Sequence, residues 1–270
     1  MMKMNEELRV VAAGYSCIDL YDKLDKFYPT GNGVDWGVHL SRLGVAVSVV
    51  SAVGSDAYGE SMRKMLEQEG IDVTHLRVEE GDTCLQKMDL IDGVDRVHLE
   101  AIEGVMAQYE LTKEDKAYIK TFPYVHTDLF GNVLKDLREF REAGVKVVLD
   151  YSIYSDDPEY NCDENFRNTD YVFLSYTEED EYIREHLKRI KGLGPEIVTA
   201  TLGENGSISY DGEQFHRYGI QPANVVNTVG AGDAYIAGFT YGIMQGWTIH
   251  DCQKMGAKIS AGAISKFEPY

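Results

Sequence analysis

The chain has 270 residues and a formal net charge of −19 at pH 7, from 26 Lys and Arg against 45 Asp and Glu. This acidic balance argues against a nucleic-acid partner, because binding a phosphate backbone needs clustered Lys and Arg. The length and an apolar fraction of 44% suit one large α/β domain of ordinary composition.

Short apolar runs alternate with amphipathic stretches along the chain. Strands are predicted at 8–14, 46–53, 124–127, 145–150, 171–174 and 197–202, and helices at 32–43, 58–69, 132–143, 177–191, 232–245 and 249–267. Strand–helix alternation of this kind is typical of a mostly parallel sheet covered by helices on both faces. We therefore expect an α/β fold.

Two segments interrupt the alternation. Residues 21–27 follow the first strand with a mixed pattern, and residues 85–101 are typical of a hairpin with Asp92-Gly93 as its turn. Neither has a helical partner close by, so we predict a small β-lid from about residues 15–28 and 84–103. A lid excludes water during group transfer. Its unpaired edges would favour a homodimer through the lid.

The most informative segment is N-T-V-G-A-G-D-A, residues 227–234. Gly230 and Gly232 flank Ala231 just before a predicted helix, so the backbone can turn tightly and present N–H groups to an anion. Asp233 adds a carboxylate in the first helical turn. Phosphoryl transfer to an alcohol needs both features. The N–H groups donate to the phosphoryl oxygens, and the carboxylate accepts the hydroxyl proton. The alternative is an ordinary loop in which Asp233 only caps the helix.

This block resembles the signature of the ribokinase-like (PfkB) carbohydrate kinases, usually D-T-x-G-A-G-D. Other family motifs resemble residues 14–19, 30–37, 53–59 and 201–206, so the resemblance covers nearly the whole chain. Stretches at 95–96, 103–106, 111–115 and 201–207 are similar to members that phosphorylate fructoselysine at its 6-hydroxyl. The resemblance implies a single ribokinase-like domain over residues 1–270. It also implies transfer of the γ-phosphoryl group of ATP, with Mg²⁺, to a small sugar or sugar-amine conjugate such as fructoselysine.

The same resemblance implies roles for individual residues. Asp233 would be the general base, ionised at pH 7 because a helix N-terminus favours its charged form. The N–H groups of Gly230, Ala231 and Gly232 would stabilise the transferred phosphoryl group. The expected substrate-binding residues are Asp19, Gly31, Asn32, Asp35, Arg96 and Glu103. Those expected at the nucleotide are Ser175, Thr201, Gly203, Gly206, Ala257 and Ala261, with Glu178 organising water around Mg²⁺.

Several of these residues have purely structural alternatives. Asp19 could be a solvent-facing charge at a strand end, and Glu178 could belong to an acidic first helical turn. The segment 201–206 could be a plain turn, and Ala257 and Ala261 could serve helix packing. His98 and His126 are predicted to be structural, because no Ser or Cys nucleophile signature accompanies them.

Three residues depart from the family pattern. Asn227 replaces an aspartate that neighbours a monovalent-cation site in several relatives, so K⁺ activation is doubtful here. Asp35 replaces an asparagine, and its carboxylate can meet a cationic or hydroxyl-rich part of a substrate. Thr30 replaces the first glycine of a pair, which leaves the loop less free to bend. The acceptor sugar is therefore less defined than the reaction type.

Two rival functions follow from the same sequence. One is a kinase for a plain sugar or nucleoside such as ribose, fructose or adenosine. The other is a non-catalytic sugar or nucleotide sensor, against which Asp233 argues because a sensor needs no base. The chain has no G-x-x-x-x-G-K-[ST] motif and no early G-x-G-x-x-G, which argues against a P-loop kinase and an NAD-dependent enzyme.

Cysteine spacing and hydropathy indicate the cellular compartment in which the protein works. The cysteines at 17, 84, 162 and 252 form no C-x-x-C pair, so we predict no zinc site and a reduced, cytosolic setting. No apolar run approaches the ~20 residues of a membrane span, and residues 1–9 lack a signal-peptide core. We expect small-molecule partners, a sugar and ATP, and neither nucleic acid nor membrane.

Overall fold

The computed structural model describes residues 8–91, 95–155, 157, 160 and 162–270. In chain order the strands are β1 Arg9–Ala13, β2 Cys17–Tyr21, β3 Lys26–Thr30, β4 Ala46–Gly54, β5 Asp72–Glu79, β6 Leu85–Ile91, β7 Asp95–Ile102, β8 Tyr124–Thr127, β9 Lys146–Asp150, β10 Tyr171–Ser175, β11 Ile197–Thr201, β12 Ser207–Tyr210 and β13 Phe215–Tyr218. The helices are α1 Asn32–Arg42, α2 Ala57–Gln68, α3 Lys113–Ile119, α4 Leu137–Glu142, α5 Asp163–Arg167, α6 Glu181–Lys191, α7 Ala231–Met244 and α8 Ile249–Ala263.

The larger sheet has nine strands in the order β13-β12-β11-β10-β9-β8-β1-β4-β5. The strands from β11 to β5 run parallel, and β12 and β13 add an antiparallel edge. Alternate residues of β1 enter two different cores, Val11 and Ala13 one of them, Val10 and Ala12 the other. The sheet is therefore buried on both faces by helices, and the predicted α/β class is confirmed.

A second sheet of four strands has the order β3-β2-β6-β7. Strands β2 and β6 are parallel, and each pairs with an antiparallel neighbour, β3 and β7. One face packs Tyr21, Tyr28 and Met88 against Val229 and Phe267, next to the start of α7. We call this sheet the lid.

The lid strands differ from the prediction over residues 21–27. That segment is mostly the connection between β2 and β3, a 3₁₀ turn at Asp22–Leu24 followed by Asp25 in the left-handed region with φ 50°. Its mixed pattern reflects this exposed turn rather than a strand. The turn predicted at Asp92-Gly93 lies outside the described residues.

Several helix boundaries also differ from the prediction. The helix expected at 132–143 is a 3₁₀ turn, Leu134–Asp136, followed by α4, because Asn132 has a left-handed φ of 53°. Helix α6 begins at Glu181, where Asp180 caps it by accepting the N–H of Ile183. Helix α8 ends before Phe267, whose carbonyl accepts a hydrogen bond from another loop. Strands β5 and β13 and the short helices α3 and α5 were not predicted.

Helix length and hydropathy bear on membrane insertion. In the part of the chain that the structure describes, none of the helices has the length and apolar character needed to cross a bilayer.

Candidate active site

Five aspartates converge where the lid meets the carboxyl ends of β8 and β9 and the N-termini of α1 and α7. They are Asp19 from the lid, Asp35 from α1, Asp128 after β8, Asp150 at the end of β9, and Asp233 from α7. The first four are buried, and Asp233 is partly exposed with its Oδ1 shielded from solvent. Ligands of open parallel sheets bind at this edge, because loops and helix N-termini meet there. The arrangement identifies a candidate active site.

The glycine bend at the start of α7 shapes one side of this site. Gly230 is the N-cap with φ 70°, and a Cβ there would lie 2.6 Å from the Pro269 Cβ, so only glycine fits. A Cβ on Gly232 would meet no atom within 4 Å. The bend therefore has open space beside the first N–H groups of a helix, where an anion is favoured.

Asp233 lies in the first turn of α7 beside this space. Burial, and next the Asp150 carboxylate, raise the pKa of Asp233 to about 8, although Arg96 opposes the shift. This rise opposes the ionised state that the resemblance implied for Asp233 at pH 7. The helix N-terminus favours the charged form, but loss of water around the carboxyl outweighs it.

Arg96 of the lid is the cation that opposes the pKa shifts of the aspartates. It lowers the pKa of Asp19, Asp35, Asp150 and Asp233. Its Nη1 also donates to the Thr228 carbonyl at 2.7 Å, which ties the lid to the glycine bend. The structure thus brings Arg96, one of the expected substrate-binding residues, close to the aspartates, and its role at the substrate stays a prediction.

The other predicted substrate residues fall into two groups. Asn32 donates through Nδ2 to the Asp150 carboxylate at 2.9 Å, and Asp19 is only 4% exposed, so the solvent-facing alternative for Asp19 is wrong. Gly31 is the N-cap of α1 with φ 134°, and a Cβ there would lie 2.6 Å from the Tyr15 carbonyl oxygen. Glu103, by contrast, is exposed before the 3₁₀ turn at Gly104–Gln108, so it does not join the buried aspartates.

The predicted nucleotide residues lie around the ends of β10 and β11. A cavity of about 440 Å³ is lined there by Tyr176, Thr177, Glu178, Leu202, Gly203, Glu204 and Asn205. The Thr201 hydroxyl donates to the Leu174 carbonyl and lies 3.5 Å from the Ser175 hydroxyl. Gly206 has φ 86°, and a Cβ there would lie 2.1 Å from the Tyr218 carbonyl, so Gly206 is required by the turn.

Two other predicted nucleotide residues lie outside this cavity lining. Ala257 is buried in α8 and Ala261 is half-buried. Neither lines the cavity of about 440 Å³. The packing alternative therefore stays open for both alanines.

Glu178 lines the cavity from the loop before α6. Its neighbours are engaged elsewhere, since Glu179 bonds Arg217 in a bidentate pair and Asp180 caps the helix. Glu178 is thus not part of the first helical turn. Mg²⁺ prefers oxygen ligands and keeps several waters beside substrate phosphates, so one carboxylate at a nucleotide cavity fits its needs. Among the described residues, no group of three or more His, Cys, Asp or Glu is arranged to hold a metal.

Asp128 and Asp150 were missed from the sequence. Each stands at the carboxyl end of a predicted strand, β8 or β9, which was the available signal. Asp128 accepts the N–H groups of Phe130 and Gly131, while its Oδ2 is buried without a hydrogen-bond partner. Burial raises the pKa of Asp128 to about 7. Both residues extend the acidic site beyond the predicted set.

The two histidines that the sequence suggested as structural lie in different surroundings. His126 is fully buried and stacks on Trp36, with ring centroids 4.7 Å apart, and burial lowers its pKa to about 3. His98 lies on β7, where burial and Arg96 lower its pKa. Each shift favours the neutral ring, and the structural interpretation of both stays a prediction.

Comparisons with known proteins give a consistent result. Residues 9–270 match the model of the pfkB family carbohydrate kinases. The fructoselysine 6-kinases of Shigella flexneri and Escherichia coli (strain K12) are each 35% identical over 251 residues, covering 93% of this chain and 95% of theirs. A structure of Arabidopsis thaliana ribokinase complexed with ribose and ATP superposes with a TM-score of 0.82 at 20% identity, covering 97% of this chain and 94% of that one. The ribokinase-like fold implied by the sequence is thereby confirmed.

Proposed function

Because the chain belongs to the pfkB family of carbohydrate kinases, we propose that it transfers the γ-phosphoryl group of ATP to a hydroxyl of a sugar-amine conjugate. The proposed acceptor is of the fructoselysine class, phosphorylated at its 6-hydroxyl, and Asp233 is the proposed base. The supporting relatives are the two fructoselysine 6-kinases at 35% identity.

The observation that carries the reaction type is the position of Asp233 beside the glycine bend. Its Oδ1 is buried and lacks a hydrogen-bond partner, which suits an acceptor for a substrate hydroxyl. The open space at Gly232 suits the phosphoryl group, and the bend offers N–H donors to its oxygens. One carboxylate and one anion hole then face the same reacting atoms.

The residues would act in a single displacement. The acceptor hydroxyl donates its proton to Asp233, its oxygen bonds to the γ-phosphorus, and the bond to the β-phosphate oxygen breaks to release ADP. The N–H groups of Gly230, Ala231 and Gly232 stabilise the charge on the transferred group, and the lid excludes water. When bound, Mg²⁺ would neutralise phosphate charge, with Glu178 as the residue that holds its water shell.

The nucleotide site is proposed at the cavity beside β10 and β11. Gly203 and Glu178 line it, and Thr201, Ser175 and Gly206 shape its border. An acidic chain can hold ATP through backbone N–H groups and a metal ion rather than through lysines. Ala257 and Ala261 keep their proposed role at the adenine.

A panel of acceptors with ADP release as readout tests the proposal. We expect the purified protein to phosphorylate fructoselysine at O6, with a kcat/KM well above those for ribose, fructose and adenosine. A higher kcat/KM for one of these plain acceptors would establish the alternative function and reject the proposed substrate class. The sensor alternative is not supported, because the chain is a carbohydrate kinase by family.

Asn227 suggests independence from K⁺. It is fully buried, its Nδ2 donates to the Phe267 carbonyl at 2.9 Å, and its Oδ1 accepts the Val229 N–H at 3.0 Å. A neutral amide with both ends bonded to backbone leaves no charge to attract a cation. We expect turnover to change little when K⁺ is replaced by tetramethylammonium at constant ionic strength.

The variant Asn227→Asp supplies the control. Its carboxylate would face the Phe267 carbonyl without a donor, and a cation between the two oxygens would relieve their repulsion. We expect turnover of this variant to fall without K⁺ and to recover in part when K⁺ is added. A wild-type enzyme that loses most of its turnover without K⁺ contradicts the proposal.

We also propose that the lid pairs two copies of the chain. In the described part of the lid, β3 and β7 are the edge strands, and Phe27, Ile91 and Leu99 are about half exposed or more. Unpaired edges and exposed apolar side chains favour association. We expect a dimer in sedimentation velocity, and Leu99→Lys should shift it toward monomer. A monomer at all accessible concentrations contradicts this idea.

A further inference from the structure

Asp35 of α1 has one carboxylate oxygen bonded and the other unpaired. Its Oδ2 accepts a hydrogen bond of 2.8 Å from the Thr30 hydroxyl at the end of β3. Its Oδ1 is buried without a hydrogen-bond partner, and the residue is only 2% exposed. Burial without a partner is unfavourable, because it removes water from the oxygen and replaces it with nothing. A ligand group that donates to Oδ1 would therefore be stabilised.

Charged groups from the surrounding elements face Asp35. After burial, the Asp233 carboxylate of α7 is the largest cause that raises the pKa of Asp35 well above its usual range, and Asp19 of the lid adds to it. The Thr30 hydrogen bond and Arg96 of β7 oppose this rise. The Asp35 carboxylate also contributes to the raised pKa of two nearby phenols, those of Tyr28 and Tyr270. Asp35 thus faces the same space as Asp233 and Asp19.

Carboxyl groups outnumber basic groups in this space, and a bound cation would favour their ionised forms. Five aspartates converge there, and Arg96 is the cation that lowers the pKa of four of them, Asp19, Asp35, Asp150 and Asp233. That guanidinium also donates to the Thr228 carbonyl. A neutral sugar would bring hydroxyl donors but no charge, whereas a protonated amine brings both. The electrostatics of the site match a positively charged acceptor.

Resting on the proposed function, we propose that Asp35 selects acceptors with a protonated amine, its Oδ1 accepting a charge-assisted hydrogen bond from the amine of an aminated ketose. Two carboxylates then contact different groups of the acceptor. Asp35 holds the amine, and Asp233 takes the proton of the hydroxyl that is phosphorylated. The Thr30 hydroxyl orients Asp35 by holding Oδ2, which leaves Oδ1 for the ligand.

The test compares two acceptors that differ in one atom, a 1-amino-1-deoxyketose conjugate and its ether analogue with oxygen in place of the amine nitrogen. The quantity measured is the ratio of their kcat/KM values, amine over ether. In Asp35→Asn we expect this ratio to fall by about 10- to 100-fold, the usual range for losing a hydrogen bond to a charged group. An equal loss on both acceptors overturns the proposal.

A matched control removes one carboxylate elsewhere. Glu185→Gln lies on an exposed part of α6, where Glu185 pairs with Lys188. It changes the formal net charge by the same amount but lies far from Asp35 in the fold, so its amine-to-ether ratio should equal that of the wild type. If the amine-to-ether ratio falls as much in Glu185→Gln as in Asp35→Asn, the effect comes from the overall negative charge of the protein, and the proposal is overturned.

A second measurement needs no variant. Calorimetry of the wild type in buffers with different ionisation heats counts the protons exchanged when each acceptor binds. Because an ammonium group favours the ionised form of Asp35, we expect the amine acceptor to release more protons than the ether. Equal proton release overturns the proposal even if Asp35→Asn fails to fold.

The outcomes separate this inference from the proposed function. A wild-type enzyme that phosphorylates plain sugars but no aminated one rejects the substrate class, and the role of Asp35 with it. A wild-type enzyme that prefers the amine, and keeps that preference in a folded Asp35→Asn variant, rejects the role of Asp35 alone.

Discussion

Replacing Asp233 with asparagine is expected to lower kcat by about 10²–10⁴-fold, the usual contribution of a positioned general base. The amide keeps the size of the carboxyl group but cannot accept the hydroxyl proton. Asp233 lies in the first turn of α7 with its Oδ1 buried and unpaired, so the substitution should disturb the fold little. The measurement is steady-state ADP release, and we expect modest changes in KM for both substrates.

The pH profile supplies the control for this variant. Burial and the Asp150 carboxylate raise the pKa of Asp233 to about 8, so at lower pH most of the free enzyme has a protonated base. Wild-type kcat/KM should therefore rise about tenfold per pH unit and level off near pH 8. The residual activity of Asp233→Asn should lack this ascending limb. Near-normal turnover in the variant, or an unchanged limb, would reject Asp233 as the base.

Replacing Gly230 with alanine is expected to damage both the fold and the reaction. Gly230 has φ 70°, and a Cβ would lie 2.6 Å from the Pro269 Cβ and 2.7 Å from its carbonyl oxygen. Backbone strain of this kind costs about 1–3 kcal/mol, and a shifted bend would lose donors to the phosphoryl group. We expect the unfolding temperature to drop by several degrees and kcat to fall by about 10²-fold or more.

Gly232 provides the matched comparison two residues away. A Cβ at this position would meet no atom within 4 Å, and Gly232 has no positive φ. Since alanine is also the better helix former, Gly232→Ala should leave the unfolding temperature unchanged or slightly higher. Thermal unfolding of both variants side by side checks this. If Gly230→Ala is as stable as Gly232→Ala, the close contact with Pro269 does not constrain the bend.

Local sequence patterns predicted most of the parallel strands and the longer helices that cover them. The alternation of apolar runs and amphipathic stretches predicted the parallel sheet, because periods of 2 and 3.6 residues depend only on neighbours in the chain. The glycine bend was also local, since Gly230, Gly232 and Asp233 stand next to each other. The pattern failed at residues 21–27, where an exposed turn has the same mixed composition as an edge strand.

Only the tertiary structure decided which distant residues meet. Asp128 and Asp150 meet because β8 and β9 are neighbours in the sheet, and Asp233 joins them from the first turn of α7. The same convergence raises the pKa of Asp233 to about 8 through desolvation and the Asp150 carboxylate, against the effect expected from the helix N-terminus. Glu103 was expected at the substrate, but the fold leaves its side chain exposed and away from the buried aspartates.

By itself the sequence determined the fold class, the glycine bend and the carboxylate beside it, because each follows from patterns of residues that are close together in the chain. The tertiary structure alone decided the burial of that carboxylate, its acidic neighbours and the unpaired oxygen of Asp35. Burial and electrostatic interaction depend on segments brought together by packing, and distances between such segments are not encoded in any local pattern.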